Sequence, residues 1–479
     1  MDYFFEPKSI VIYGASENTL KSGNHVLKNV LNYKRENIYL IHPMKDYVYG
    51  IRCYRSIFDL PIQMVDLSII ILPVEFVFAA LLDCLDFGVS GIIIESGAIY
   101  LTNDFETLEK IHQLKKNYKD NYKSRIMGPN SIGIYNAFEN GIGFTTSLIH
   151  FKRFPELKEK NLSMISQTGL TLSGLLFSQN NQQEVGISKI ASIGNKFDIN
   201  ESDLLDYLEE DKNTNVIAFY LEDISEGRKF VEQCKRISKK KPLILLKSGI
   251  SNKAKKAIIS HTGSIAGNYK NIQALSTQFG IILVEDFAEL FNVGKCLLNQ
   301  PIPKGNRIGV ISISGAGTVL SCDFAMKYNL ELPKLSSVQL DKLKSFFPEF
   351  AWKDINNPID IWSAVEKVGP EKAYMKSGEI LLKENTIDIL VYFLTGIKET
   401  EFDWRLLYEL NQQYPEIPIY FGLIGGDKKI LRTWRKIIEV RYNIPMFFSI
   451  SNLFKTISKI MIYVNYVSKE GTFLRGVTS

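Results

Sequence analysis

The segment IISHTGSIAGN, Ile258 to Asn268, sets His261 between a basic run, KAKKA, and the small residues Thr262, Gly263 and Ser264. It is one of five histidines in 479 residues. A neutral imidazole, with a reference pKa of about 6.5, is a nucleophile at neutral pH. Small neighbours would let another group approach it closely. Taken alone, such a residue is more often a loop histidine with no task. Three further stretches could hold anions: SIVIYGASENTLKSG, LSMISQTGLTLSG and RIGVISISGAGTVL each run from an apolar strand through a small-residue turn into a helical pattern. Glycine admits a phosphate close to the backbone, and a helix N-terminus offers it unpaired N–H groups. Strand-to-helix turns need small residues anyway, so one such turn says little. Three in register point to phosphate without saying whose.

The first turn is not a dinucleotide fingerprint. Ser16 and Thr19 stand where the second and third glycines of GxGxxG would fall, and IYLIHPMK ends without an acid to take a ribose diol. Instead Lys21 lies in the first loop and Lys45 beyond the second strand, as extra phosphate charge would want, or as plain solvated charges. The basic residues between Lys239 and Lys256 are likewise either a solvated face or an anion-attracting one.

The elements that must position these groups follow from the apolar runs. After the first turn come IYLIHP, LSIIILP and GIIIESG; after the second, VIAFYLE and LILLKSG; after the third, IDILVYFLTG and IPIYFGLIGG. Short β-branched runs ending in Gly or Pro and spaced by helical patterns indicate βαβ units and parallel sheets. Three α/β domains result, each with its own core. The pattern turns irregular near Asn136–Lys160, and QPIPKGN breaks it near Asn299–Asn306. In such sheets ligands bind at the carboxyl ends of the strands, where all three turns lie.

Bulk composition agrees. At 479 residues the chain is too long for one ordinary core. It is 45% hydrophobic and 23% charged, with a net charge of +5 scattered and paired along its length, so nucleic acid is not implied. No run reaches the roughly 18–20 apolar residues of a membrane span, and the start, MDYFFEPKSIVIYGAS, is no secretory signal. Five cysteines, odd in number and without CxxC spacing, read as free thiols in a reducing cytoplasm, with neither zinc nor disulfides.

GASENTLKSGNHVLKNVL, IHPMKDYVYGIRCYRSIFDLP, VDLSIIILPVEFV, GIIIESGA and RIMGPNSIGIYN, in that order, resemble the CoA-binding domain of NDP-forming acyl-CoA synthetases, relatives of succinyl-CoA synthetase. The resemblance continues through ISQTG, GISKIASIGNKFDINESDLLDYL, VIAFYLEDISEGRKF, KKKPLILLKSG and SHTGSIAG. It reaches SISGAGTVLSCDFAMKY, NNPIDIW and NIPMFFS, nearly the whole chain. It implies an α/β fold with an N-terminal Rossmann-like CoA-binding domain over residues 1–135 and a linker over 136–159. Two flavodoxin-like, succinyl-CoA synthetase-like domains follow over 160–298 and 306–470.

The resemblance also implies a chemistry. Acyl-CoA and phosphate give an acyl phosphate, which phosphorylates a histidine on a loop; the phosphohistidine then phosphorylates a nucleoside diphosphate. The matching histidine is His261, and YLED puts Glu222 at the strand end as its carboxylate partner, with Asp223 as the alternative. A carboxylate on one ring nitrogen fixes the tautomer and stabilises the positive ring that forms as the other nitrogen attacks. The phosphorylated ring needs donors, and helix N-termini supply them. Ser166, Thr168 and Gly169 match one such helix start, Ser314, Gly315, Ala316 and Gly317 the other, with Asn130 of GPNS close by. For CoA the carried positions are Gly14, Ala15, Ser16, Ser22 and Gly23, then Lys45, Leu72, Pro73 and Glu95. HPMK departs by one position from the commoner NPK, and IESGAIY from a SAGF-like segment. His25 and His42 flank the implied CoA site, where the family commonly has other residues, and read as surface or packing residues; His112 and His150 have no context that raises them.

In these enzymes ATP or GTP, with Mg2+, is held by an ATP-grasp module of which this sequence shows no glycine-rich lysine loop. The chain thus resembles the α subunit of two-subunit ADP-forming acetate–CoA ligases. Its implied partners are CoA, a small carboxylic acid, and an ATP-grasp β-type subunit or further copies of itself. Two other functions share the scaffold. An acyltransferase working without a nucleotide would turn over as the isolated chain. A CoA-binding regulatory protein would bind CoA and never phosphorylate His261.

Overall fold

The computed structural model describes residues 1–33, 36–97, 105–137, 143–150, 161–175, 185–255 and 269–470. Its contacts divide into two units: Met1–Ile237 with Leu245–Ile272, and Ser238–Ile244 with Gln273–Ser479.

In the first unit the apolar runs at Ile10–Tyr13, Leu67–Ile70 and Gly91–Ile94 are buried along their whole length, as a sheet covered on both faces requires, and the first sheet has seven strands in all. These are β1 (Ile10–Tyr13), β2 (Ile38–Ile41), β3 (Tyr47–Val48), β4 (Ile51–Tyr54), β5 (Leu67–Ile70), β6 (Gly91–Ile94) and β7 (Arg125–Met127). They lie in the order β3-β4-β2-β1-β5-β6-β7, parallel except for β3 against β4. The chain leaves β1 toward β2 and β4, then returns to β5 on the other side. That reversal makes the carboxyl ends of β1 and β5 the crevice of a doubly wound sheet. One face is covered by the helix Val74–Phe87, packing Val77, Leu81 and Leu85 with Val11, Ile70, Ile92 and Ile94.

A second sheet in this unit starts with β8 (Ile134–Asn136) and β9 (Phe144–Thr145). It goes on through β10 (Leu162–Ser166), β11 (Ile187–Ser192), β12 (Val216–Leu221) and β13 (Leu243–Lys247), which the unit boundary crosses. The order is β13-β12-β10-β11-β8-β9, with β10 parallel to β11 and β12, and β8 antiparallel to β11 and β9. The stretch expected to be a linker therefore supplies an edge strand. Strands of two and three residues are too short for any alternation to show in sequence.

Asp198 ties the two sheets. Its carboxylate accepts from Arg125 Nε at 2.7 Å, Arg125 Nη2 at 3.3 Å and the Ile126 N–H at 3.0 Å, and lies 3.4 Å from Lys119 Nζ. Burial pushes this carboxyl up, but Arg125, the Tyr118 hydroxyl and the Ile126 N–H hold it below the usual carboxylate range.

The second unit holds β14 (Ile282–Val284), β15 (Ile308–Ser312), β16 (Ile359–Asp360), β17 (Ile389–Gly396), β18 (Ile419–Gly426) and β19 (Met446–Phe447). The last five form a parallel sheet in the order β16-β15-β17-β18-β19. Counted from β15, that is the flavodoxin order 2-1-3-4-5. Its core is strongly aromatic: Tyr392 stacks on Phe421 at a centroid distance of 5.3 Å and meets Tyr374 at a tilt at 5.9 Å, and Trp404 meets Trp434 edge-on at 4.8 Å. Among the described residues no helix is long and apolar enough to cross a membrane. Cys53, Cys84, Cys234 and Cys296 are buried free thiols, and Cys322 is an exposed one.

Candidate functional site

The carboxyl edge of the first sheet gathers the residues expected at CoA. Gly14 leaves β1 at φ +88°, and a Cβ there would lie 2.0 Å from the Ile71 carbonyl oxygen. Gly23, near the start of the helix Ser22–Tyr33, would meet the Gly14 oxygen at the same distance. Both glycines are thus needed to press the first turn against its own helix and the β5 turn. Gly14→Ala is expected to cost roughly 1–3 kcal/mol through backbone strain alone, read as a lower thermal midpoint together with weaker CoA binding. Ala15 is buried, while Ser16 and Ser22 line the more open part of the loop. Ser96 clips Leu72, accepting from its N–H at 3.1 Å and donating to its carbonyl at 2.6 Å, so Leu72 and Pro73 sit beside Gly14.

Lys45 reaches the same loop but donates to Glu17 at 2.8 Å. Glu17 and Arg55 escaped the sequence reading, which had His42 only as a surface or packing residue. His42 Nδ1 accepts from the Met44 and Lys45 N–H groups at 3.1 and 3.0 Å, which shapes the turn carrying Lys45. Burial, then Lys45, Arg55 and Lys21, hold its pKa below the ordinary histidine value and keep that acceptor neutral. Arg55 braces the turn through the His42 and Lys45 carbonyls, at 3.0 and 2.8 Å. Glu95 differs from the rest of the set. Its carboxyl points inward toward Gly133 and Thr146, and no described residue gives either oxygen a well-aligned hydrogen bond. Burial raises its pKa well above the carboxylate range, with the Thr146 hydroxyl a partial offset.

Asn130 joins the two sheets. It sits at φ +60°, donates its N–H to the Ser96 carbonyl at 3.1 Å, and places its side-chain amide 3.4 Å from Asn195 Oδ1. Gly194 lies so close to Pro129 that a Cβ would stand 2.2 Å from its carbonyl oxygen.

The carboxyl edge of the second sheet collects charge around Glu222. Gln167, the middle residue of the Ser-Gln-Thr turn and 4% exposed, bridges the ends of β10 and β12. Its Oε1 accepts from the N–H groups of Glu222 at 2.7 Å and Asp223 at 3.2 Å, and its Nε2 donates to Asp223 Oδ1 at 2.5 Å. Lys196 Nζ lies 2.8 Å from the Asp223 carboxylate and 3.0 Å from Glu201, whose other oxygen accepts the Ser225 N–H at 2.6 Å. Lys247, the last residue of β13, donates to the main-chain carbonyls of Glu222 at 2.5 Å and Ser248 at 2.6 Å. Glu222 is thus seated at the strand end by its whole surroundings, while Asp223 is consumed by Lys196 and Gln167. Lys196, Glu201 and Lys247 were not singled out from sequence, and Gln167 was read only as part of the Ser166–Gly169 helix start.

The basic run upstream of His261 is not one face: Lys239 pairs with Glu470 at 2.7 Å, Lys247 is buried, and Lys253 is exposed. His261 itself lies outside the described residues.

The two remaining turns share a device. Ser166 Oγ donates to the Thr168 carbonyl at 2.9 Å and accepts from the Thr168 N–H at 3.2 Å. Ser312 does the same to Ser314, at 2.8 and 3.2 Å. In each case the serine ending the strand folds its hydroxyl back on residue i+2, an ST turn. After Gly169 a π-helical turn, Thr171–Leu175, follows. Ser314 caps the helix Gly315–Lys327, accepting from Ala316 N–H at 3.3 Å. Gly317 packs so tightly that a Cβ would lie 2.3 Å from Ser312 Oγ. The second unit's edge opens into a cleft of about 390 Å3 lined by Ser314, Gly315, Asp360, Trp362 and Thr395. Among the described residues no cluster of His, Cys, Asp and Glu is placed to hold a metal ion.

Comparison with known proteins agrees with this layout. Residues 8–137 match the CoA binding domain family, and residues 159–297 the succinyl-CoA ligase like flavodoxin domain. The α subunit of ADP-forming acetate–CoA ligase II of Pyrococcus furiosus is 31% identical over 436 residues, which cover 89% of this chain and 91% of that one. ADP-forming acetate–CoA ligase II of Archaeoglobus fulgidus is 33% identical over 470 residues, covering 96% of this chain but 66% of its own length. Among solved structures, dinucleotide-forming acetyl-coenzyme A synthetase 1 of Ca. Korarchaeum cryptofilum, in complex with phosphate and ADP, superposes with a TM-score of 0.83 at 27% identity over 99% of both chains. A chain that aligns along nine-tenths of an α subunit, with the Gly14 crevice and the Glu222 seat at its strand ends, belongs to the ADP-forming acetate–CoA ligase family, a group of acid–thiol ligases.

Proposed function

We propose that this chain is the α-type subunit of an NDP-forming acid–CoA ligase. It interconverts acyl-CoA, phosphate and ADP with acid, CoA and ATP, through an acyl phosphate and a phosphohistidine at His261. CoA lies at the carboxyl edge of the first sheet, along Gly14, Ala15, Ser16, Ser22 and Gly23, with Leu72 and Pro73 across the crevice. Lys45 exchanges Glu17 for a phosphate of the ligand. Phosphate attacks the thioester carbonyl, CoA leaves as the thiol, and the acyl phosphate then hands its phosphoryl group to His261, releasing the carboxylate. The observation that carries this reading is the seat of Glu222: an acid held at the sheet edge while the neighbouring Asp223 is bound by Lys196 and Gln167. Glu222 accepts the hydrogen of one imidazole nitrogen and balances the positive ring formed as the other is phosphorylated. Asn130, through its side-chain amide, and the two serine-closed turns, through the N–H groups of Gly169 and Gly315, are the donors for the moving phosphate, the N–H groups of Thr168, Ala316 and Gly317 being spent inside their own turns.

ADP and Mg2+ belong to an ATP-grasp β-type partner. The longer relative, of which this chain spans 66%, has room for such a module within one polypeptide. The domain division at 1–135, 160–298 and 306–470 is part of the same proposal. The test combines the full chain with a panel of acyl-CoA thioesters, led by acetyl-CoA, and radiolabelled inorganic phosphate, with and without a co-expressed ATP-grasp subunit. An acid-labile, alkali-stable label on His261, chased into ATP only when the partner and ADP are present, is expected. The same label on a His261→Asn chain would overturn the assignment, and turnover to a second acceptor by the isolated chain would favour an acyltransferase.

A further inference from the structure

We propose that Lys247 is a positioning residue for the phosphoryl relay, acting on Glu222 through its main chain; this rests on the role given to Glu222 above. Residue 222 is gripped on both sides of its Cα: Gln167 holds its N–H, and Lys247 Nζ holds its carbonyl oxygen at 2.5 Å. Fixing both peptide groups fixes φ and ψ, and with them the direction in which the carboxylate leaves the strand. The second Lys247 bond, to the Ser248 carbonyl at 2.6 Å, ties the same ammonium to the start of the segment that runs on to His261. One side chain thereby joins the end of the carboxylate's strand, β12, to the end of β13.

A lysine 6% exposed at the end of a buried strand is costly, because ammonium groups leave water reluctantly. An apolar residue would pack there at less expense, and the nearby Asp223 carboxylate goes to Lys196 instead. What the lysine supplies is directed donors to two carbonyls, which no apolar residue has.

The same burial makes the clamp sensitive to pH. Burial lowers the Lys247 pKa to about 8; Asp223 and Glu222 favour the ammonium, while Lys196 and Lys255 oppose it. Hydrogen bonds from an ammonium are roughly twice as strong as those from a neutral amine, so the grip on Glu222 weakens as pH rises through 8. Stability moves the other way. The folded pKa lies below the unfolded lysine value of about 10.4, so the unfolded chain binds more protons over that interval and Lys247's contribution to stability grows with pH. A residue that only supports the fold would not make rate and stability diverge.

The experiment follows the rate of His261 labelling by acetyl-CoA and radiolabelled phosphate across this pH range, with thermal midpoints taken in parallel. The wild type, Lys247→Met and Lys247→Arg are compared as full chains. The wild-type rate is expected to fall on the alkaline side. Lys247→Met should lose roughly tenfold to a hundredfold at neutral pH, the cost of a misplaced catalytic group, and lose the alkaline limb too. Lys247→Arg, charged throughout, should recover much of the rate and carry the limb to higher pH. A wild-type rate that stays flat through the alkaline range overturns the proposal, and so does Lys247→Met labelled at the wild-type rate. If Lys247→Met does not fold, the wild-type profile and Lys247→Arg decide. If the wild type gains no histidine label at all, it is the relay reading that fails instead.

Discussion

Glu222→Gln is expected to slow phosphorylation of His261 by about 10^4-fold at neutral pH, the loss seen when a histidine's carboxylate partner is made an amide. The amide fills the same volume, and both peptide groups of residue 222 stay in the hands of Gln167 and Lys247. The fold should therefore hold. What goes is the negative charge. A glutamine offers no compensation for a positive ring, and its NH2 group can turn toward the imidazole and select the wrong tautomer. Rate of label uptake measures the first effect, and the thermal midpoint controls for the second chain property, folding. Asp223→Asn should invert the pattern. It leaves Lys196 with Glu201 as its remaining carboxylate and alters the contact to Gln167, so stability drops more than labelling does. If Asp223→Asn abolishes labelling while Glu222→Gln leaves it intact, the two acids have been assigned the wrong way round.

Asp198→Ala is expected to destabilise the first unit by about 3–5 kcal/mol, the usual cost of removing one partner from a buried ion pair. The Asp198 side chain is fully buried, and its loss leaves Arg125, 30% exposed, with Asp203 as its remaining carboxylate at 3.3 Å and strands the Ile126 N–H. The pH dependence has a definite sign. Its folded pKa is depressed, so the stabilisation is fully present above the unfolded carboxyl value of about 3.9 and is lost as pH falls through the folded value. Urea unfolding at neutral pH should show the full gap between wild type and Asp198→Ala, and in strong acid the gap should narrow. A constant gap would mean that Asp198 acts by packing rather than by charge.

The strands were legible because parallel sheets bury both faces. IVIY, LSII, GIII and ILVYFLTG appear as unbroken apolar runs that end where a turn must begin. The turns were legible because close backbone approach leaves few residue types, as Gly14 and Gly317 demonstrate. Of the candidate site, the sequence singled out a histidine, His261, which lies outside the described residues, and an acid, Glu222, which the structure holds at the strand end. The residues that seat that acid were hidden for a physical reason. Gln167 and Lys247 act by hydrogen bonds to the main chain of residues 55 and 25 positions away, and a main-chain partner leaves no mark on either side chain. Ser166 was read as part of a helix start and Ser312 was not singled out, whereas each closes the turn that follows it. The inward turn of Glu95 was hidden as well, since a strand-end acid gives no sign of the pleat face on which it lies.

The hairpin of Ile134–Asn136 and Phe144–Thr145 bears on how this architecture can be cut and rejoined. Chain that has just left the first sheet lies along β11 before the second sheet's own central strand has begun. Two of its carbonyls, Ser147 and Ile149, accept from Asn29 on the helix behind β1, each at 2.8 Å. A fragment ending at the last residue of the CoA-binding match, 137, would carry β8 away with nothing to pair it, and would leave β11 with a raw backbone edge. Such edges recruit other chains. A recombination event, or a designer, that shuffles these modules should therefore splice after Ile149, since the seam in the sequence precedes the seam in the hydrogen bonds.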